Sequence, residues 1–155
     1  MVALQATNEL AKVKAYIDQY YQDMFIEVNR SMKDISDAKE IFLPETEPFS
    51  IYLFRKIDEK EMDDVSLYKK AQIDRRLFSK IRSDEDYQPS KKTVFKLVLA
   101  MELTYQEAKE CLEYAGFAFS RSSKFDLIVE YAVKHQIYNI FDVNELLDEL
   151  VNEIL

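Results

Sequence analysis

Apolar residues recur at intervals of three and four from near the start of the chain. Leu10, Val13, Ile17, Tyr20 and Met24 form one stripe, widened by Tyr16, Tyr21, Phe25 and Val28. That spacing puts them on one face and predicts an amphipathic helix over residues 8–29, about twenty residues long. The face can pack on its own domain. Its 3-4-3-4 rhythm also suits pairing with a second copy. Residues 31–48 then turn polar and acidic and close on two prolines, Pro44 and Pro48. They predict a short helix or loop followed by a linker.

Shorter periodic runs follow. Phe49, Tyr52, Leu53 and Ile57 share one side of a helix over 49–60. Asp63 or Asp64 can cap a helix over 65–71, residues 72–74 make a turn, and Asp74 caps a helix over 75–82. The string SDEDYQPS reads as a loop. Ser90 caps a helix over 91–102 that runs through Val94, Leu97, Val98 and Met101. Thr104 and Glu107 form a capping box for 105–115, and Gly116 stops that helix. Ser123 and Asp126 make a similar start for 125–135, with Leu127, Ile128, Tyr131 and Ala132 inward. Asp142 caps a last helix over 143–155, striped by Leu146, Leu147, Leu150, Val151 and Ile154. YNIF between them is an apolar connector. Three parts result: residues 1–48, residues 49–116, and a C-terminal extension over 117–155 packed on the middle part.

Composition agrees with helices. Gly116 is the only glycine among 155 residues and there are three prolines, whereas sheet proteins spend more glycine on turns. An apolar fraction of 48% supports a real core. The fold class expected is all-α.

Charge is uneven. The chain carries a net −8, which makes it a poor general binder of polyanions. Yet Ser66–Arg82 holds six basic residues against Asp74 alone. Within DVSLYKKAQIDRRLFSKIR, the apolar Leu67, Ala71, Ile73, Phe78 and Ile81 stand where two helices crossing at a turn would meet. Arg75, Arg76, Ser79 and Lys80 fall on the outer face of the second helix. A bihelical unit with a buried seam and a basic outer face is what insertion into a DNA major groove requires. The plainer reading is a solvated helix face.

The order of five helices, the inner apolar pattern and the string PSKKTVFKLVLAMELTYQEA resemble the lambda-repressor-like (Xre/Cro-type) helix-turn-helix domain. The likeness covers residues 49–115. It implies a bacterial or phage transcription regulator binding double-stranded DNA. Residues 64–71 would be the supporting helix and 75–82 the recognition helix. Base and phosphate contacts would fall to Arg75, Arg76, Ser79 and Lys80, with Lys69, Lys70 and Arg82 as further phosphate candidates. Such modules usually act as dimers on paired half-sites. A homodimer would form through the helix from Leu10 to Val28 or through the C-terminal helices. Two positions depart from the pattern. Tyr68 stands where a small residue is usual, and is expected to splay the helices or point outward. Gln72 stands where glycine is usual, and a left-handed glutamine costs on the order of 1 kcal/mol.

No residue set points to catalysis. Cys111 and His135 are single, so no disulfide or Cys/His metal site can form within the chain. Cys111 is expected to be a buried thiol, and His135 a cation or a solvated ring at a negative helix end. No phosphate-cradling glycine loop occurs, and no cofactor is expected. The N-terminus lacks the apolar stretch of a signal peptide and no apolar run spans a membrane, so a cytoplasmic protein is expected. The alternative function is a repressor-like fold used to bind protein, as an adaptor, an inhibitor or an acidic DNA mimic.

Overall fold

The computed structural model describes residues 2–31 and 47–155, with side chains for 8–23 and 47–155. Among them the chain is all-α: α1 (Val2–Ser31), α2 (Phe49–Glu59), α3 (Asp64–Lys70), α4 (Arg75–Ser83), α5 (Lys91–Ala100), α6 (Tyr105–Tyr114), α7 (Lys124–Lys134) and α8 (Ile140–Val151). The expected linker falls mostly on 32–46, outside the described residues, as do the side chains of Met24, Phe25 and Val28.

Two helices form the interior. Every residue of α5 from Thr93 to Ala100 except Lys96 is buried, and α7 is buried continuously from Asp126 to Val133. A helix that is apolar on nearly all sides belongs at the centre of a core. Around α5 pack α3, α6 and α8, and around α7 pack α1, α6 and α8. The pair α2 and α4 closes one side, α2 resting on α6. Val13, Leu53, Leu67, Leu97, Leu112, Leu127 and Leu147 therefore belong to one apolar cluster. Truncating any of these leucines to Ala would cost about 2–5 kcal/mol.

The helix starts follow side-chain chemistry. The carboxylates of Asp63 and Asp74 accept from the backbone N–H of Ser66 and Arg76, at 3.0 and 2.6 Å. Ser90 accepts from Thr93, and Thr104 exchanges bonds with Glu107 in a complete capping box. Ser123 caps α7, but the Asp126 carboxylate does not turn back to the Ser123 N–H. It accepts from the Ser120 N–H at 2.6 Å and from Lys91. The last helix differs from expectation at both ends. Asn139, not Asp142, caps it, accepting from the N–H of Phe141 and Asp142. Ile140 and Phe141 are therefore helical rather than connector. Asp142 sits in the first turn, where its charge meets the positive helix end. Left-handed Asn152 ends α8, and the Leu155 N–H returns to the Asn144 side chain at 2.8 Å. Ile154 thus leaves the stripe and is exposed.

The helix ends share one device that the glycine count hides. Glu61, Gln72, Glu102, Gly116 and Gln136 all take positive φ, between 52° and 80°. Each is followed by an apolar residue whose N–H bonds a carbonyl five residues back: Met62 to Ile57, Ile73 to Tyr68, Leu103 to Val98, Phe117 to Leu112 and Ile137 to Ala132. Left-handed backbone costs a non-glycine residue about 1–2 kcal/mol. The recovered carbonyl bonds and the docking of the apolar residue offset that cost.

α1 docks on α7 through a mixed seam. Val13 and Ile17 are buried, so this part of the stripe packs on the chain's own core rather than on a second copy. Tyr16 meets Tyr131 edge-on, with centroids 5.3 Å apart, and the Tyr131 hydroxyl donates to Glu9 at 3.2 Å. Beneath lies Glu130, which is buried. Tyr105 donates to it at 2.7 Å and Lys134 pairs with it at 3.0 Å, while Lys134 also reaches the Tyr16 hydroxyl at 2.9 Å. Burial and the bond to Glu130 push the Tyr105 hydroxyl up to about 12. For Lys134, burial opposes the charge, but the bonds to Tyr16 and Glu130 outweigh it and raise the pKa.

Candidate nucleic-acid interface

The α3–turn–α4 segment is built on five buried apolar positions. Leu67, Ala71, Ile73, Phe78 and Ile81 are buried as their spacing predicts. Gln72 takes the left-handed conformation at φ 54°, and the Ile73 N–H bonds the Tyr68 carbonyl at 2.9 Å. The turn therefore keeps its shape without glycine. Tyr68 does not point away. It is half-buried, its ring tilted against Phe78 with centroids 5.6 Å apart, and Phe54 meets Phe78 from the other side at 5.7 Å.

With its apolar side spent on this seam, α4 presents its polar side outward. Arg75, Arg76, Ser79, Lys80 and Ser83 line an open concavity of about 510 Å³. All five side chains come from α4. The guanidinium groups of Arg75 and Arg76 and the Lys69 ammonium make no hydrogen bond, ion pair or ring contact with another described residue. The Lys80 ammonium lies 4.6 Å from the centroid of the Tyr87 ring.

Two expected phosphate contacts are engaged elsewhere. Arg82 pairs with Asp64 on α3, and its guanidinium lies over the Phe54 ring of α2, 4.3 Å from the centroid. Lys70 pairs with Glu102 at 3.2 Å. Each acid offsets part of the charge of the cation it holds, across a solvent-exposed pair. Sequence spacing could not show this, because the partners lie 18 and 32 residues away. Tyr87 stands in a polar loop where periodicity carries no signal. The acidic α8, with Asp142, Glu145, Asp148 and Glu149 exposed, packs on α7 and α5, whereas α4 packs chiefly on α2.

Compared with known proteins, the chain matches no family model, no curated protein and no solved structure.

Other chemistry is sparse among the described residues. No group of His, Cys, Asp and Glu side chains could hold a metal ion. Cys111 is fully buried, and burial pushes its thiol up to about 12, far from a reactive thiolate. His135 caps α7, stacked on Tyr131 with its Nδ1 2.9 Å from the Tyr131 carbonyl oxygen. No described helix is long and apolar enough to cross a membrane.

Proposed function

We propose that the protein is a regulator that binds double-stranded DNA, with α3 as the supporting helix and α4 as the helix presented to the major groove. The observation that carries this reading is the outward face of α4. Two arginines without a partner among the described residues line an open face that also holds Lys80 and two serine hydroxyls. Arginine presents a planar fork that pairs bidentately with guanine O6 and N7, and lysine and serine reach phosphate oxygens or base edges. Cations without a described partner, gathered on one helix, suit a polyanionic partner despite the net −8. Arg82 and Lys70 are not assigned to DNA in this reading.

The test is fluorescence anisotropy with a labelled pool of random duplexes at low and moderate salt, beside the Arg75→Ala/Arg76→Ala/Lys80→Ala variant. Salt-sensitive binding that the variant loses is the expected result. A folded wild type that binds no duplex at low salt would sink the proposal. A second reading, protein binding through an acidic surface, draws on α8, where Phe141 is 70% exposed among Asp142, Glu145, Asp148 and Glu149. Pull-downs that survive the triple variant would favour it.

A further inference from the structure

The geometry points to Tyr87 as a positioning residue that holds the Lys80 ammonium ready for a DNA phosphate, an inference that rests on the DNA-binding reading above. Tyr87 lies outside α4, in the loop that follows it. Its ring nonetheless packs against the apolar core, and the loop that carries it is bonded within the chain. The Tyr87 N–H bonds the Asp84 carbonyl at 3.1 Å, the Asp86 N–H bonds the Asp84 carboxylate at 3.0 Å, and Pro89, two residues on, is buried. The half-buried ring then offers its face to Lys80 at 4.6 Å.

The way each cation is held decides what it can still do. Asp64 and Glu102 offset part of the charge of Arg82 and Lys70 and accept their N–H groups. An aromatic face attracts an ammonium through its quadrupole but carries no net charge. Lys80 therefore keeps its full charge and can still donate to a phosphate oxygen. Lysine is also rich in rotamers, and a side chain already restrained loses less freedom on binding. Arg75 and Arg76 have no such support, so the ring singles out one cation of the concavity.

The test is a double-mutant cycle in the same anisotropy assay, with thermal melts confirming that each variant is folded. Tyr87→Phe, which keeps the ring, is expected to bind as the wild type does. Tyr87→Leu should weaken binding about two- to fivefold. In the Lys80→Ala background the same Tyr87→Leu change should have no further effect. Equal losses with and without Lys80, a loss in Tyr87→Phe, or a Tyr87→Leu variant that binds at wild-type strength would each overturn the inference while leaving the DNA reading intact. A wild type that binds no duplex would overturn both.

Discussion

The surface of α4 and the junction of α1, α6 and α7 treat charge in opposite ways. At the junction Glu130 is buried and matched by Tyr105 and Lys134, and one turn earlier on α7 Asp126 is buried and matched by Lys91 of α5 and the Ser120 N–H. On α4, Arg75 and Arg76 are exposed and meet no described partner. A buried carboxylate left unmatched is costly, so the junction must close its network for the chain to fold. An exposed cation costs little in water, so the fold itself asks nothing of Arg75 or Arg76. The first set of charges is explained by folding. The second is not required by the fold, and it is the set on which the DNA proposal draws.

Substitutions can separate the two. The largest effect is expected on binding. Arg75→Ala/Arg76→Ala/Lys80→Ala should lower duplex affinity on the order of a hundredfold near 0.1 M salt and flatten the log–log salt slope by about 2–3. Its stability should stay within about 0.5 kcal/mol of wild type, as urea denaturation would report. A large drop in stability would erase the contrast between the regions. Asp126→Ala should do the reverse. It leaves Lys91 and the Ser120 N–H without their acceptor and should cost about 2–3 kcal/mol, with binding by the folded fraction unchanged. The cost stays below that of a fully buried pair because Lys91 is partly exposed.

Gln72→Gly should raise stability by up to about 1 kcal/mol, since glycine meets the φ of 54° without strain, though a more flexible unfolded chain takes back part of the gain. A destabilised variant would mean that the Gln72 side chain supports the turn. The smallest effect concerns pH. Burial works against ionising Glu107, but the Thr104 and Lys60 contacts overcome it and hold its carboxyl below the ordinary 4.5. Its folded pKa being depressed, its contribution is complete above the unfolded pKa and fades as the pH falls through the folded value. Glu107→Gln should therefore shallow the acid limb of stability below about pH 4.5, measured by denaturation between pH 6 and 3.

The helix starts were legible because a capping side chain works locally: Asp63, Asp74, Ser90, Thr104 and Ser123 each stand directly before an apolar-periodic run. Asn139 was missed because Asp142, three residues on, offered an equally good cap, and the choice depended on burying Ile140. The left-handed stops at Glu61, Glu102 and Gln136 carry no sequence signal, since glutamate and glutamine disfavour that conformation. The docking of Met62, Leu103 and Ile137 supports it. The candidate site divides the same way. Which residues face outward on α4 followed from periodicity. Which cations are paired did not, because Asp64 and Glu102 reach Arg82 and Lys70 across the fold. Tyr87 supports Lys80 from a loop where pattern gives no guidance.

Arg82 has a consequence for the kinetics of any partner that meets α4. By joining Asp64 of α3 and lying over Phe54 of α2, it ties three helices into one body. The outward face of α4 is then set when the chain folds and needs no rearrangement at the moment of encounter. Association should be governed by diffusion and charge, so salt would slow the approach more than it hastens departure.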